Sequence, residues 1–448
     1  MALTGIQIFK LLPKTNCGAC GVPTCLAFAM NLAAAKAELA ACPHISEESK
    51  AMLSEASAPP IRPIAIGSGD NVVKIGGETV LFRHEKTFVN KPGLAILVSD
   101  TMPAEEVAGR IKRFKELRYE WIGLILRPEM VAVKNDSGDA GKFEALVRKI
   151  MDETDAALIL CSGNVDALTA AVKVSAARVP LIYAATEANS DALASLAKEY
   201  KCPLAAKADN LENLAALTEK LGAAGVKDIV LDSGSRTVRR AFEDEVFIRR
   251  AALLQKNRAL GFPTITFPCE MTADPMKEAL IAATFVAKYG GIIVLSDFHG
   301  ESVFPLAVAR LNVYTDPQRP MMMQQGIYPI GNPTEDSPVL ITTNFALTYF
   351  IVSGEIEGSR VPAWLLVMDT EGLSVLTAWA AGKFVGDAIG QFVKKSGITE
   401  KVKHRKVIIP GFVAAVSGDL EEELGAGWEV KIGPREAAHI TAFLKMGV

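Results

Sequence analysis

The 448-residue chain reads as an α/β protein in three parts. Three observations set that reading. Between residues 94 and 313, eight apolar strand-like runs each precede a segment of helical period, the count of a (β/α)8, TIM-like barrel. Ahead of them, four of the seven cysteines crowd into one short module. Behind them, a shorter alternation describes a compact Rossmann- or flavodoxin-like α/β domain. The expected boundaries are 1–57, 58–318 and 319–448.

The first part turns on Cys17, Cys20, Cys25 and Cys42, spaced C-x2-C-x4-C-x16-C. Gly18 and Gly21 let the loop curl around a bound object with its N–H groups turned inward. An Ala- and Leu-rich helix over Leu26–Ala41 is expected to return the fourth cysteine, and Pro43 follows it as in many cluster-binding runs. Structural zinc favours a C-x2-C knuckle at both ends of its motif, and here there is one. Three closely placed thiolates and a distant fourth favour a [4Fe–4S] cubane. Zinc stays as the competing metal. Ser46, with Glu47 and Glu48, reads as a helix start, and Ser54–Pro63 as a linker.

Composition excludes several classes. Half the residues are hydrophobic, enough for large cores, and a net charge of −3 argues against nucleic-acid binding. No apolar run has the length of a membrane span, and Met1–Lys10 lacks the layout of an export signal. With a thiolate module and three scattered cysteines, the expected location is the reducing cytoplasm. Cys161, Cys202 and Cys269 read as small buried hydrophobes.

A hairpin is expected around Gly76-Gly77, from Asn71–Lys74 and Glu78–Phe82. The barrel strands are expected at Leu94–Ser99, Ile122–Arg127, Ala157–Cys161, Pro180–Ala185, Pro203–Lys207, Asp228–Asp232, Pro263–Phe267 and Ile292–Ser296. The helices follow at Ala104–Leu117, Lys142–Glu153, Val165–Ala177, Ala192–Tyr200, Leu211–Leu221, Val238–Gln255, Pro275–Lys288 and Phe304–Val313. Periodicity leaves an eight-stranded doubly wound sheet as the alternative. A barrel would bring Asp100, Arg127, Ser162, Asn164, Thr186, Lys207, Asp232, Glu270, Asp297 and His299 to its mouth. They form no recognisable catalytic constellation, so the mouth reads as a docking or vestigial surface. His299, in SDFHG, begins like the D-x-H-x-x-G loop that ligates cobalt in many B12 proteins. Ser302 replaces the final glycine, and His299 reads as a mouth or core residue.

The Pro- and Met-rich stretch Asp316–Pro338 reads as a second linker. Beyond it, strands are expected at Val339–Thr342, Ala363–Met368, Val407–Pro410 and Trp428–Lys431. Helices are expected at Phe345–Ser353, Val375–Ala381, Lys383–Ser396, Leu420–Leu424 and Pro434–Lys445. Ligands of open α/β sheets sit beyond the strand C-termini, here the loops at 342–345, 369–374, 410–412 and 433–434. They are rich in small and polar residues, as contacts to a large cofactor require.

Together, C-x2-C-x4-C-x16-C-P, the barrel, T-T-N-F at Thr342–Phe345 and D-T-E-G-L-S-V-L-T-A-W at Asp369–Trp379 resemble a known family across the whole chain. It is the large (gamma) subunit of the corrinoid iron–sulfur protein of the acetyl-CoA synthase/decarbonylase system. The resemblance implies a methyl carrier of the reductive acetyl-CoA (Wood–Ljungdahl) pathway, in which the cobalt of a corrinoid (cobalamin-type) cofactor is the reactive centre. Methyl would arrive from methyltetrahydrofolate through a separate corrinoid methyltransferase and leave to acetyl-CoA synthase. A [4Fe–4S] cluster on Cys17, Cys20, Cys25 and Cys42 would return Co(II) to Co(I), fed by ferredoxin or a reductive activator. Corrinoid contacts would come from Leu340, Thr342, Thr343, Asn344, Phe345 and Ala346. Thr370, Glu371, Gly372, Leu373, Ser374, Gly411, Phe412 and Gly433 complete the set. A smaller barrel subunit would complete a heterodimer. The resemblance implies no protein catalytic residue, and neither His404 nor His439 is expected on cobalt.

Two other readings stay open. One is an iron–sulfur electron-transfer subunit with a catalytic barrel and no corrinoid. The other is a zinc-stabilised scaffold.

Overall fold

The computed structural model describes residues 5–33, 37, 39–46, 48–50, 52–53, 59–316 and 319–447. By internal contacts these fall into two compact units. One holds the chain up to Leu81 with Val89–Leu117 and Pro128–Arg310. The other holds Phe82–Phe88, Arg118–Arg127 and Leu311 onward.

In the first unit, eight parallel strands run in sequence order around a sheet. They are β1 (Gly93–Ser99), β2 (Met130–Lys134), β3 (Ala157–Cys161), β4 (Leu181–Ala185), β5 (Leu204–Lys207), β6 (Ile229–Asp232), β7 (Ile265–Thr266) and β8 (Ile292–Leu295). β8 pairs with both β1 and β7. One parallel bridge, Leu231 to Thr264, joins β6 to β7 and brings the ends of the sheet together. The sheet is therefore a nearly closed barrel and not doubly wound. The helices are α1 (Ala104–Glu116), α2 (Ala140–Glu153), α3 (Val165–Ser175), α4 (Ser190–Tyr200), α5 (Leu211–Ala223), α6 (Val238–Leu253), α7 (Pro275–Ala287) and α8 (Gly300–Val313). Strands covered on both faces must be apolar throughout, and every residue of β3, β6 and β8 is buried. Asp139, Asn164, Asn210 and Asp274 cap α2, α3, α5 and α7 through side-chain oxygens.

Several expectations are corrected. The second barrel strand is Met130–Lys134 and not Ile122–Arg127, so Arg127 leaves the mouth set. Residues 119–126 instead form an antiparallel hairpin of Tyr119–Trp121 and Leu124–Leu126 that clusters with the second unit. Both runs are apolar, but four of the five residues of β2 are buried, while Leu124 and Ile125 are 40% and 57% exposed. The early hairpin pairs Ile64–Ile66 with Val73–Ile75, so Gly76 and Gly77 follow it instead of forming its turn. The expected linker Ser54–Pro63 lies outside the described residues over 54–58. Ile61 beyond them is 5% exposed and accepts from the Gly77 N–H at 2.9 Å.

Two buried carboxylates behave oppositely. Glu129, just before β2, receives Arg310 of α8 on both oxygens at 2.7 and 2.8 Å, and Arg310 also donates to the Pro92 carbonyl ahead of β1. Burial alone would raise Glu129, but the guanidinium's charge and hydrogen bonds outweigh it and hold the carboxyl below its ordinary range. Glu245 of α6 has no such match. Burial pushes it up to about 8, the Asp232 and Asp244 charges add to the rise, and the Thr264 hydroxyl and Arg249 oppose it only in part.

In the second unit, β9 (Gly326–Ile330), β10 (Val339–Thr343), β11 (Ala363–Met368), β12 (Lys406–Ile409) and β13 (Glu429–Ile432) lie in the order β9-β11-β10-β12-β13. β9 is antiparallel and the rest are parallel. The supposed linker thus contains an edge strand. The helices are α9 (Ala346–Ser359), α10 (Val375–Ala380), α11 (Gly386–Lys395), α12 (Ser417–Leu424) and α13 (Ile440–Lys445). Side chains alternate between two cores. Val339, Ile341, Val407 and Ile409 join one, while Leu340 and Ile408 join the other. Among the described residues, no helix is long and apolar enough to cross a membrane.

Because Glu245 has a raised folded-state pKa, it favours folding below its unfolded pKa of about 4.5, and that contribution fades as pH rises toward 8. Glu245→Gln should therefore gain stability over the parent by on the order of 4 kcal/mol between pH 4.5 and pH 8. Denaturant midpoints across that range read the difference, and parallel pH profiles would contradict it.

Candidate functional site

The four cysteines sit on a short helical module. Gly5–Leu11 is one helix and Cys25–Ala33 the second. Thr24 caps the second through its hydroxyl, which accepts from Ala27 N–H at 3.1 Å. The Asn16 side chain reaches the Cys25 N–H at 2.8 Å, tying the loop to that helix. Gly18 and Gly21 have φ of +72° and +82° with open space where a Cβ would stand, so backbone conformation and not crowding calls for glycine.

Of the expected helix Leu26–Ala41, the described part is helical to Ala33, and 34–36 and 38 lie outside the described residues. Leu39–Ala41 is a 3-10 turn. A straight helix would carry Cys42 roughly 25 Å from Cys25, at 1.5 Å per residue. Instead Cys25 and Cys42 are both buried in one apolar cluster with Ile8, Leu12 and Phe28, and Cys20 packs against it. Cys17 stays exposed. Its thiol is held below the ordinary value, first by the Ala19 N–H and then by the Thr15 hydroxyl. Among the described residues, no three His, Cys, Asp or Glu side chains form a group that could hold a metal ion. Ser46 does begin a helical turn, accepting from Ser49 N–H at 3.1 Å, while Glu47 lies outside the described residues.

The C-terminal sheet has its own site. From β10 the chain goes to β11 on one side, then crosses to β12 on the other. The crevice beyond the C-termini of β10 and β12 is thus a topological switch point. A cavity of about 250 Å3 occupies it. Of the expected contacts, Leu340, Thr342, Ser374, Phe412 and Gly433 line it. So do Thr348 and Val352 of α9, Ile408, Arg435 and Ile440. The first two could have been read from sequence as a face continuing one turn and two turns from the T-T-N-F loop.

The other expected residues build the loops. Asn344 is 3% exposed, and its oxygen accepts from Thr370 N–H and Gly372 N–H, both at 3.0 Å. Its nitrogen donates to Asp369 at 2.8 Å. Thr370 returns its hydroxyl to the Leu373 carbonyl at 3.1 Å. Glu371 points outward, paired with Lys383. Gly411 is the point of closest approach between two loops, because a Cβ there would stand 2.5 Å from the Gly433 carbonyl. The Met run forms a strap. Met322 bridges antiparallel to Phe345, Met323 N–H donates to the Asn344 carbonyl, and Ala346 N–H at the start of α9 donates to Met321.

The hydroxyls of Thr342 and Thr343 are buried without a hydrogen-bond partner. Buried hydroxyls are rarely left so, and Thr342 borders the cavity. An apolar cleft with an unspent donor at its wall suits a large cofactor that carries polar groups on its rim.

His404 lies elsewhere. His404 precedes β12, at the opposite end of the strand from the loops. It accepts the Lys406 N–H on Nδ1 and donates from Nε2 to the Ser337 carbonyl. At the barrel mouth, Arg236 is held by both oxygens of Asp232, by Glu270 and by the Tyr183 hydroxyl. Cys161 and Cys202 are buried and Cys269 half-buried.

The architecture is that of a barrel protein with a cysteine-rich module ahead of it and an open α/β sheet, clefted at its switch point, behind. Residues 63–444 match the family model described as CO dehydrogenase/acetyl-CoA synthase delta subunit, and residues 12–44 match one described as putative Fe-S cluster. The chain is 44% identical over 445 residues to the corrinoid/iron-sulfur protein large subunit of Moorella thermoacetica, covering 99% of each. It is 37% identical over 455 residues to the acetyl-CoA decarbonylase/synthase complex subunit gamma of Methanopyrus kandleri, covering 99% of this chain and 97% of that one. The chain belongs to this family of corrinoid/iron–sulfur protein large subunits and decarbonylase/synthase gamma subunits.

Thr342→Val removes an unpartnered hydroxyl and keeps its shape. Without ligand the variant should be as stable as the parent or up to about 1 kcal/mol more so, as read by urea unfolding. A loss beyond that would mean the hydroxyl has a partner in the free chain.

Proposed function

We propose that this chain carries methyl groups on the cobalt of a corrinoid held at the switch point of its C-terminal sheet, and that Cys17, Cys20, Cys25 and Cys42 hold a [4Fe–4S] cluster. The observation that carries the reading is the apolar switch-point cavity bordered by the unspent Thr342 hydroxyl. When bound, the corrinoid supplies a nucleophilic metal that takes up and gives away methyl, and the cluster supplies single electrons that keep that metal reduced.

The protein's part is position. Leu340, Phe412, Val352 and Ile440 bury apolar cofactor surface. Thr342 and Ser374 offer hydroxyls to its polar rim. The Asn344-centred hydrogen bonds keep Thr370–Ser374 in one shape. In the module, Cys25 and Cys42 share one apolar cluster with Cys20 packed against it, and Cys17 on its Gly-rich loop would complete the ligand set. Family membership favours methyltetrahydrofolate, through a separate methyltransferase, as donor and acetyl-CoA synthase as acceptor. A small barrel subunit and a ferredoxin or reductive activator would assist in the cytoplasm. The chain is then a methyltransferase component whose own side chains do no bond-making. The Tyr183–Asp232–Arg236–Glu270 network fits a structural barrel mouth, since Arg236 spends its donors on its neighbours.

The chain should be purified anaerobically with its small subunit and supplied with corrinoid. Metal analysis should give about four iron and about one cobalt per chain. Cys42→Ser should lower the iron and leave the cobalt. Thr342→Val should keep the iron and weaken corrinoid uptake by about tenfold. Iron without cobalt in the parent would refute the carrier reading and favour an electron-transfer subunit. Zinc in place of iron would refute the cluster.

A further inference from the structure

The hairpin between α1 and β2 ends in a two-residue loop, Ile122-Gly123, with φ of +57° and +73°. Positive φ at both central positions is the turn that suits paired strands, and it favours Asn-Gly or Gly-Gly. Isoleucine at the first position is out of place, because its branched Cβ is crowded in the left-handed region. Such a residue persists where its surroundings hold it. The reason is where the side chain goes. Ile122 is 4% exposed, inside the core that contains Met323, Leu340 and Ala346. Trp121 beside it stacks on Phe350 of α9 with ring centroids 4.8 Å apart. Gly123 sits beneath the Tyr328 hydroxyl, where a Cβ would stand 3.6 Å away.

These neighbours are the parts that hold the candidate cofactor loops. Met323 N–H donates to the Asn344 carbonyl at 2.8 Å, and Ala346 N–H donates to the Met321 carbonyl at 3.0 Å. Leu340 lines the switch-point cavity. Asn344 in turn fixes Thr370 and Gly372. A turn chosen only to reverse the chain would not carry a buried isoleucine.

We propose that Ile122 is a positioning residue of the cofactor site. The hairpin tip props the methionine strap and the first turn of α9, and through them sets the loops around the cavity. The ligand named rests on the corrinoid reading; the prop does not.

The test uses the full chain. Hydrogen exchange is measured first without corrinoid, on the parent, Ile122→Ala and Ile122→Val. In Ile122→Ala, amides across 321–346 should exchange about tenfold faster while those of β11 and β12 keep their parental rates. Ile122→Val, which keeps the branched carbon, should restore them. Corrinoid titration then follows by absorbance. Half-saturation should rise about tenfold in Ile122→Ala and return in Ile122→Val. Equal acceleration throughout the sheet would make Ile122 ordinary core packing and overturn the proposal. Unchanged exchange across 321–346 would overturn it as well. If the parent itself takes up no corrinoid, the corrinoid reading falls and the exchange data alone decide the prop.

Discussion

The side-chain amide of Asn344 is the constraint on which the loop end of the C-terminal sheet depends. It sits where two parallel strands end, and it has one acceptor and one donor end to spend. Both are spent across the gap, on Thr370 and Gly372 from the oxygen and on Asp369 from the nitrogen. The loop after β11 therefore cannot move without breaking buried hydrogen bonds, whose loss is costly out of water. Because the loops satisfy each other, the Thr342 and Thr343 hydroxyls are left over. Rigidity in one set of groups leaves the other unspent.

Much of this was legible in the chain. The barrel strands from Ala157 onward announce themselves, since runs buried on both faces must be continuously apolar. The β10, β11 and β12 runs did so for the same reason. The second barrel strand did not. LILR and MVAVK are equally strand-like, and only three-dimensional packing distinguishes a hairpin arm from a barrel stave. The edge strand Gly326–Ile330 was hidden because Pro329 reads as a breaker, while an antiparallel edge tolerates it. Helix propensity misled at Leu39–Ala41, where a 3-10 turn stands in place of the expected helix and Cys42 shares an apolar core with Cys25. Of the candidate loops, the strand-end residues were visible. Ile440 was not, since which helical face looks into a cleft is fixed by the sheet beneath it.

The barrel shows the same division of labour between charge and packing. Arg310 and Glu129 are both largely removed from water, which is unfavourable for either alone, yet each satisfies the other with paired hydrogen bonds. Arg310 also reaches the carbonyl of Pro92. The last helix of the barrel is thereby fastened to the entry points of its first two strands. At the mouth, Arg236 plays the same part among acidic partners and stacks on Phe267. These networks give specificity to an otherwise uniform apolar barrel.

The hairpin at 118–127 also has a consequence for synthesis. Ile122 finds its core only when Leu340, Ala346 and Leu365 have been made, more than two hundred residues later. At ordinary elongation rates of roughly 5–20 residues per second, the ribosome needs on the order of ten to forty seconds for that stretch. Through that interval Ile122 lacks the C-terminal residues of its core, although α1 and β1 have already emerged. The C-terminal unit is therefore not free to fold as a late, independent piece. A ribosome that stalls within the barrel leaves an apolar hairpin waiting, and quality control has that exposed tip to recognise.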